Sequence, residues 1–121
     1  MAEAFFNKLS KKNKSFSAGI YTNEHKGKKL SNIGKKVVKC MANVGYNISN
    51  RSPKQIKHEM IKTADKIIVM ADKKLLPDYL RDSDKVTYWN VKDPKQKSYN
   101  FHVKIRNKIK SLVKKLIKEM G

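Results

Sequence analysis

Cysteine, arginine and acidic side chains are all scarce in this 121-residue sequence, and each scarcity narrows what the chain can do. The single cysteine, Cys40, excludes an internal disulfide and fits a reducing compartment. Arginine stands only at Arg51, Arg81 and Arg106, so nearly all of the 29 basic residues are lysines. Proteins that read base sequence favour the planar guanidinium fork, whereas lysine is a point charge suited to solvated faces. The formal charge of +19 suggests anionic partners. With no RNP aromatic pattern, zinc-finger spacing or long basic block, it points to weak, non-specific polyanion binding on a lysine-rich background. No run of about 18 apolar residues is present, so no bilayer span is expected. Met1 to Leu9 carries Glu3 and lacks the basic-then-apolar plan of a secretory signal, and a cytoplasmic location follows as the expectation.

What is present suffices for one core. With 39% hydrophobic residues, positions 1–121 are expected to form a single domain. Met1, Phe5 and Leu9, with Ala4 alongside, share one face of a helix that the chain opens already inside. Ser15 to Ile20 reads as a short strand. The polar stretch that follows, with His25, Lys26, Lys28 and Lys29, reads as a solvated loop. Leu30, Ile33, Val37, Val38, Met41 and Val44 recur at helical spacing, with Ser31 as a cap and Gly45 as the stop. Cys40 lies inside that helix beside Met41, which marks it as a small buried hydrophobe rather than a nucleophile. The sequons at Asn47 and Asn50 are ones a cytosolic protein leaves unused.

Ser52-Pro53-Lys54-Gln55 combines a capping serine, a first-turn proline and a glutamine three residues on, and predicts a helix start there. Ile56, Met60 and Ile61 supply its apolar side, and His58 reads as a surface residue with no second ligand near it. Asp65 to Met70 holds four consecutive apolar residues without alternation, the pattern of an interior parallel strand. Lys73 to Leu80 predicts a short helix broken by Pro77. Val86-Thr87-Tyr88-Trp89 is β-branched and aromatic and predicts a strand, ended by Asn90, Asp93 and Pro94. Ser98 to Met120 predicts a long helix with a stripe of Phe101, Ile105, Ile109, Leu112, Leu116 and Met120, widened by Val113 and Ile117. Strand and helix alternate, so an α/β fold with a parallel sheet flanked by helices is expected.

Asp93 is the best candidate for chemistry. It follows a strand of such a sheet, at the end where ligands bind. Pro94 pushes it out of the α region and limits where its carboxylate can point. An Asp-Pro pair taken alone is more often a turn or capping aspartate.

Five segments together resemble the low-molecular-weight protein tyrosine phosphatases and their arsenate reductase relatives. Met1-Ala2-Glu3-Ala4 is similar to the start of that family's first helix, and Ser17-Ala18-Gly19 to the end of its second strand. Gly45 to Ser49 resembles the segment after its second helix, Asp65 to Met70 its central strand, and Asp93-Pro94 its Asp-Pro. The resemblance implies that Asp93 is a general acid and that Ser17 is the serine supporting the phosphate loop. It also implies a preceding strand and a Cys-x5-Arg-Ser loop carrying the nucleophile. This sequence contains neither, and Cys40 matches neither the motif nor its place, so no nucleophile is assigned and Ser17 is left with nothing to support.

The resemblance therefore implies an N-terminally truncated phosphate-monoester hydrolase with its first strand missing, inactive as given and poorly folded. It would act on a phosphorylated protein or a small phosphate ester, with no cofactor and no metal. Lys95 and Gln96 stand where phosphotyrosine-selective members carry aromatic residues. Ala71 to Asp82 lacks the redox cysteines of thioredoxin-coupled arsenate reductases. The alternatives are a non-catalytic, lysine-rich binding protein on the same fold and an arsenate reductase relative.

Overall fold

The computed structural model describes residues 1–19, 34–51, 54–71, 73–94 and 97–120. The loop lysines Lys26, Lys28 and Lys29, the cap Ser31, the capping pair Ser52 and Pro53, and Lys95 and Gln96 lie outside the described residues.

In chain order the elements are α1 (Ala2–Leu9), α2 (Lys35–Ala42), α3 (His58–Thr63), β1 (Ile67–Val69), a 3-10 turn (Lys73–Leu75), α4 (Asp78–Arg81), β2 (Val86–Tyr88) and α5 (Tyr99–Met120). β1 and β2 pair in parallel, with Ile67 opposite Val86 and Val69 opposite Tyr88. Successive strand residues face opposite sides of a sheet, and this sheet uses both. Ile68 packs, with Trp89 and Val91, against a core built from α1, α2 and α5. Ile67, Val69 and Val86 pack on the other side with Leu76 and Leu80. The architecture is α/β, with helices on both faces of a parallel sheet. In the larger core Phe5, Cys40, Met41 and Val113 are fully buried, and Phe5 meets Tyr46 edge to face at 4.9 Å.

α2 ends as Gly45 predicts. Its φ is +89°, the Tyr46 N–H donates to the Met41 carbonyl and the Gly45 N–H to that of Ala42, which together make a Schellman stop. Pro77 breaks the segment after the 3-10 turn and caps α4. Ser98 caps α5 through its hydroxyl, which accepts from the Phe101 N–H.

Several expectations are corrected. Residues 13–18 form no strand: the Asn7 side chain takes both main-chain groups of Ser15, at 2.6 and 3.0 Å, and occupies the bonds a ladder would use. Extended pairing is confined to Gly19, which bridges in parallel to Gln55. That bridge also displaces the helix expected from Ser52. The Gly19 carbonyl accepts from Ile56 and the Gly19 N–H donates to Lys54, so this stretch is held extended and α3 starts only at His58. On α5, Ile105, Ile109, Leu116 and the flanking Val113 are buried as expected, but His102 is buried with them and Met120 is exposed. On α1, Phe6 is buried in place of Leu9.

β1 is not enclosed on both faces, since Ile67 and Ile68 are only half-buried. Among the described residues β2 is its one strand neighbour. Ile67 and Val69 direct their peptide groups to the β2 side, through Ile67 N–H to Lys85 and Trp89 N–H to Val69. By alternation, the peptide groups of Ile68 point to the other edge, where no described strand lies.

Candidate functional site

The chain leaves β2 at Tyr88 and turns over the ends of the strands. Trp89 continues the pairing with Val69, and the Val91 N–H closes a tight turn onto the Trp89 carbonyl at 3.0 Å. From α5, Lys108 Nζ reaches the Asn90 carbonyl at 2.6 Å and braces this loop against the helix. Asp93 follows, exposed to solvent, with Pro94 half-buried behind it.

Asp93 lines an open cleft of about 1270 Å³ at the C-terminal ends of both strands. The cleft is bounded by Met1 and Ala2 of the α1 end, by Lys35, Lys36 and Val37 of α2, and by His102, Ile105 and Ile109 of α5. Met70, Leu75 and Tyr88 form its apolar wall, and these are three of the six exposed large hydrophobic residues among those described. These residues are gathered in one concavity, beside a carboxylate and lysines, rather than scattered over the surface. Lys73 Nζ lies over the Tyr88 ring, 5.7 Å from its centroid, and fixes a positive charge near that wall.

Ser17 is not in this cleft. Its hydroxyl donates to Glu3 Oε2 at 2.7 Å, and Arg51 Nη1 donates to Glu3 Oε1 at 2.9 Å. Ser17 thus has a partner after all: through Glu3 it ties the segment after α1 back to that helix. Cys40 is sealed in the core. Its Sγ–H donates to the Val37 carbonyl at 3.3 Å, and burial pushes the thiol above its ordinary value, with Arg106 and the N-terminal amine pulling the other way. A thiol held neutral and dry is a poor nucleophile.

His102 was missed in the sequence. It is 4% exposed on the buried stripe of α5 and lines the cleft, with Nδ1 2.9 Å from the Ser98 carbonyl. A carbonyl only accepts, so Nδ1 carries the proton and, in the neutral ring, Nε2 is left as an acceptor. The signal was its spacing, three before Ile105 and seven before Ile109. No group of three or more His, Cys, Asp or Glu side chains able to hold a metal occurs among the described residues. No helix among them is long and apolar enough to cross a membrane.

Comparison with known proteins adds the lineage. No curated protein sequence is a significant match. Among solved structures, the low molecular weight protein tyrosine phosphatase from T. tengcongensis is 25% identical with a TM-score of 0.83, over 98% of this chain and 88% of that one. A YwlE mutant from Bacillus subtilis shares the fold at 20% identity and TM-score 0.81, over 98% of this chain and 87% of its own. An arsenate reductase in the intermediate state does so at 21% and 0.77, over 99% and 87%. The family model for low molecular weight phosphotyrosine protein phosphatase matches residues 1–121, and this chain belongs to that family.

Proposed function

We propose that the chain is the acid-bearing body of a phosphate-monoester hydrolase, with Asp93 as its general acid. One observation carries this reading: Asp93 stands in the wall of the cleft at the C-terminal end of parallel β2, between an apolar wall and lysines. In the reaction a thiolate attacks phosphorus, the bond to the ester oxygen breaks, and that oxygen takes a proton from the Asp93 carboxyl. The resulting carboxylate then takes a proton from the water that releases phosphate from sulfur. Met70, Leu75 and Tyr88 would receive the non-phosphate part of the substrate, which is a phosphorylated protein side chain or a small phosphate ester.

The thiolate is not Cys40, whose thiol is buried, and the 121 residues contain no Cys-x5-Arg sequence. We propose that such a strand and loop join the chain ahead of α1 and lie along the open edge of β1. The 121-residue chain is then inactive by itself. The reducing compartment that its one buried cysteine fits is the cytoplasm.

The test begins with the coding DNA upstream of Met1, read in frame, and compares the extended and 121-residue proteins on an aryl and an alkyl phosphate. The extended protein should turn over both, and Asp93→Asn should slow the alkyl ester by about 10²- to 10⁴-fold. The loss should shrink for an activated aryl ester, whose leaving group needs no proton. Turnover by the 121 residues that vanishes in Cys40→Ser would overturn the assignment, as would Asp93→Asn leaving the alkyl rate unchanged.

A further inference from the structure

The basic residues are divided unevenly between the two sides of the sheet. The described segments that carry α1, α2 and α5 hold sixteen Lys and Arg residues against two acids, Glu3 and Glu119. The described segments that carry α3, α4 and both strands hold nine against six. A lysine-rich background accounts for lysine on both sides, but not for the loss of acids from one. Glu3 is moreover already paired with Arg51.

The imbalance is greatest on α5, which carries seven basic residues and only Glu119 as an acid. Lys104 and Lys108, Lys110 and Lys114, and Lys114 and Lys118 are like-charged neighbours at a spacing of four, an arrangement that destabilises a helix. Three of the seven have partners: Arg106 donates to the Cys40 carbonyl, Lys108 to that of Asn90, and Lys110 lies over the Phe5 ring. Lys104, Lys114, Lys115 and Lys118 are exposed and have no hydrogen bond or ion pair among the described residues. At about 100° per residue they fall within an arc of about 100°, opposite the buried stripe, and they span about 21 Å of helix. That length matches about six base pairs of duplex, at one phosphate charge per 1.7 Å of axis.

We propose that the outward face of α5 docks the phosphate backbone of double-stranded nucleic acid without regard to sequence. Lysines meet phosphates as point charges. Arg106, the one guanidinium on the helix, is tied to Cys40 and Asn107 and is not available to read bases. A membrane fits less well. An interfacial helix inserts its apolar face, and that of α5 is committed to the core through Ile105, Ile109, Val113 and Leu116. The proposal is independent of the role of Asp93.

The test measures fluorescence anisotropy of two labelled duplexes of unrelated sequence with the 121-residue chain, from 50 to 200 mM KCl. Both duplexes should bind alike, with log affinity falling against log salt at a slope of about −4, set by four phosphate contacts. The variant K104Q/K114Q/K115Q/K118Q should lose most of that slope and at least about 100-fold in affinity at 50 mM. The variant K54Q/K57Q/K62Q/K66Q removes the same charge from exposed sites in the other segments, and should stay within about threefold of the parent. Glutamine keeps the helix propensity of lysine, and matched far-UV circular dichroism checks the folds. Equal losses in the two variants, sequence-dependent binding, or no binding at 50 mM would each overturn the proposal. So would tighter binding to phosphatidylserine vesicles than to duplex at 150 mM, if the α5 variant abolishes it, because the partner would then be a membrane.

Discussion

Burial holds the Cys40 thiol protonated, so the folded chain grips that proton more tightly than the unfolded chain does. The resulting stability is fully present below the thiol's ordinary value of 9.0 and is lost as pH rises through the raised folded value. The melting temperature should therefore fall more steeply above pH 9 in the parent than in Cys40→Ala; parallel curves would show that the thiol ionises freely in the fold. Glu3 is the other residue whose surroundings set a measurable effect. Removing it in Glu3→Ala breaks contacts to both Ser17 and Arg51, and because the Arg51 side chain is 43% exposed the cost should be only about 1 kcal/mol by urea midpoint. The place of Asp93 just past a strand was legible because a proline after a run of β-branched and aromatic residues marks a strand end from sequence alone. His102 was not, because a polar residue on an apolar stripe looks like a break in the stripe until its Nδ1 finds the Ser98 carbonyl.

Among the elements, those whose ends are set by local chemistry were readable. Gly45, Pro77 and Ser98 stop or start helices where their backbone or hydroxyl preferences require. A Cβ at Gly45 meets nothing within 4 Å, so Gly45→Ala tests backbone conformation alone. At φ +89° it should cost about 1 to 2 kcal/mol, with Gly45→Asn intermediate, read as a shift in denaturant midpoint. Elements whose ends depend on distant partners were not readable. Ser52 to Gln55 looks like a helix start, yet Gly19 holds Gln55 extended, and Asn7 deprives Ser15 of ladder bonds in the same non-local way. The stripe of α5 was read correctly at Ile105, Ile109 and Leu116, but it takes in His102, while Phe101 is only half-buried against the same core. Val113, 1% exposed at the centre of that stripe, should show the true register: Val113→Ala should cost more than Leu112→Ala, although the latter removes more atoms.

At the scale of the whole molecule, the parallel α/β plan was legible from the order of strands and helices, whereas the sparseness of the pairing became visible only in three dimensions. Among the described residues, two three-residue strands and one bridge give the sheet little hydrogen bonding of its own. Stability therefore rests on the core around Phe5 and Met41, and Phe5→Ala should remove about 3 to 5 kcal/mol, enough to abolish cooperative melting in a chain of marginal stability. The side of β1 on which no described strand lies has a colloidal consequence. Among the described residues no strand covers the Ile68 edge, and a sheet edge left so is a template on which two copies of the chain can add strands to one another and polymerise. The charge of +19 keeps copies apart at low ionic strength, but its reach contracts from about 10 Å in 0.1 M salt to about 3 Å in 1 M. Light scattering should accordingly rise with KCl at fixed protein concentration, so that salt, which protects many basic proteins from adventitious polyanions, drives this one toward fibrous precipitation.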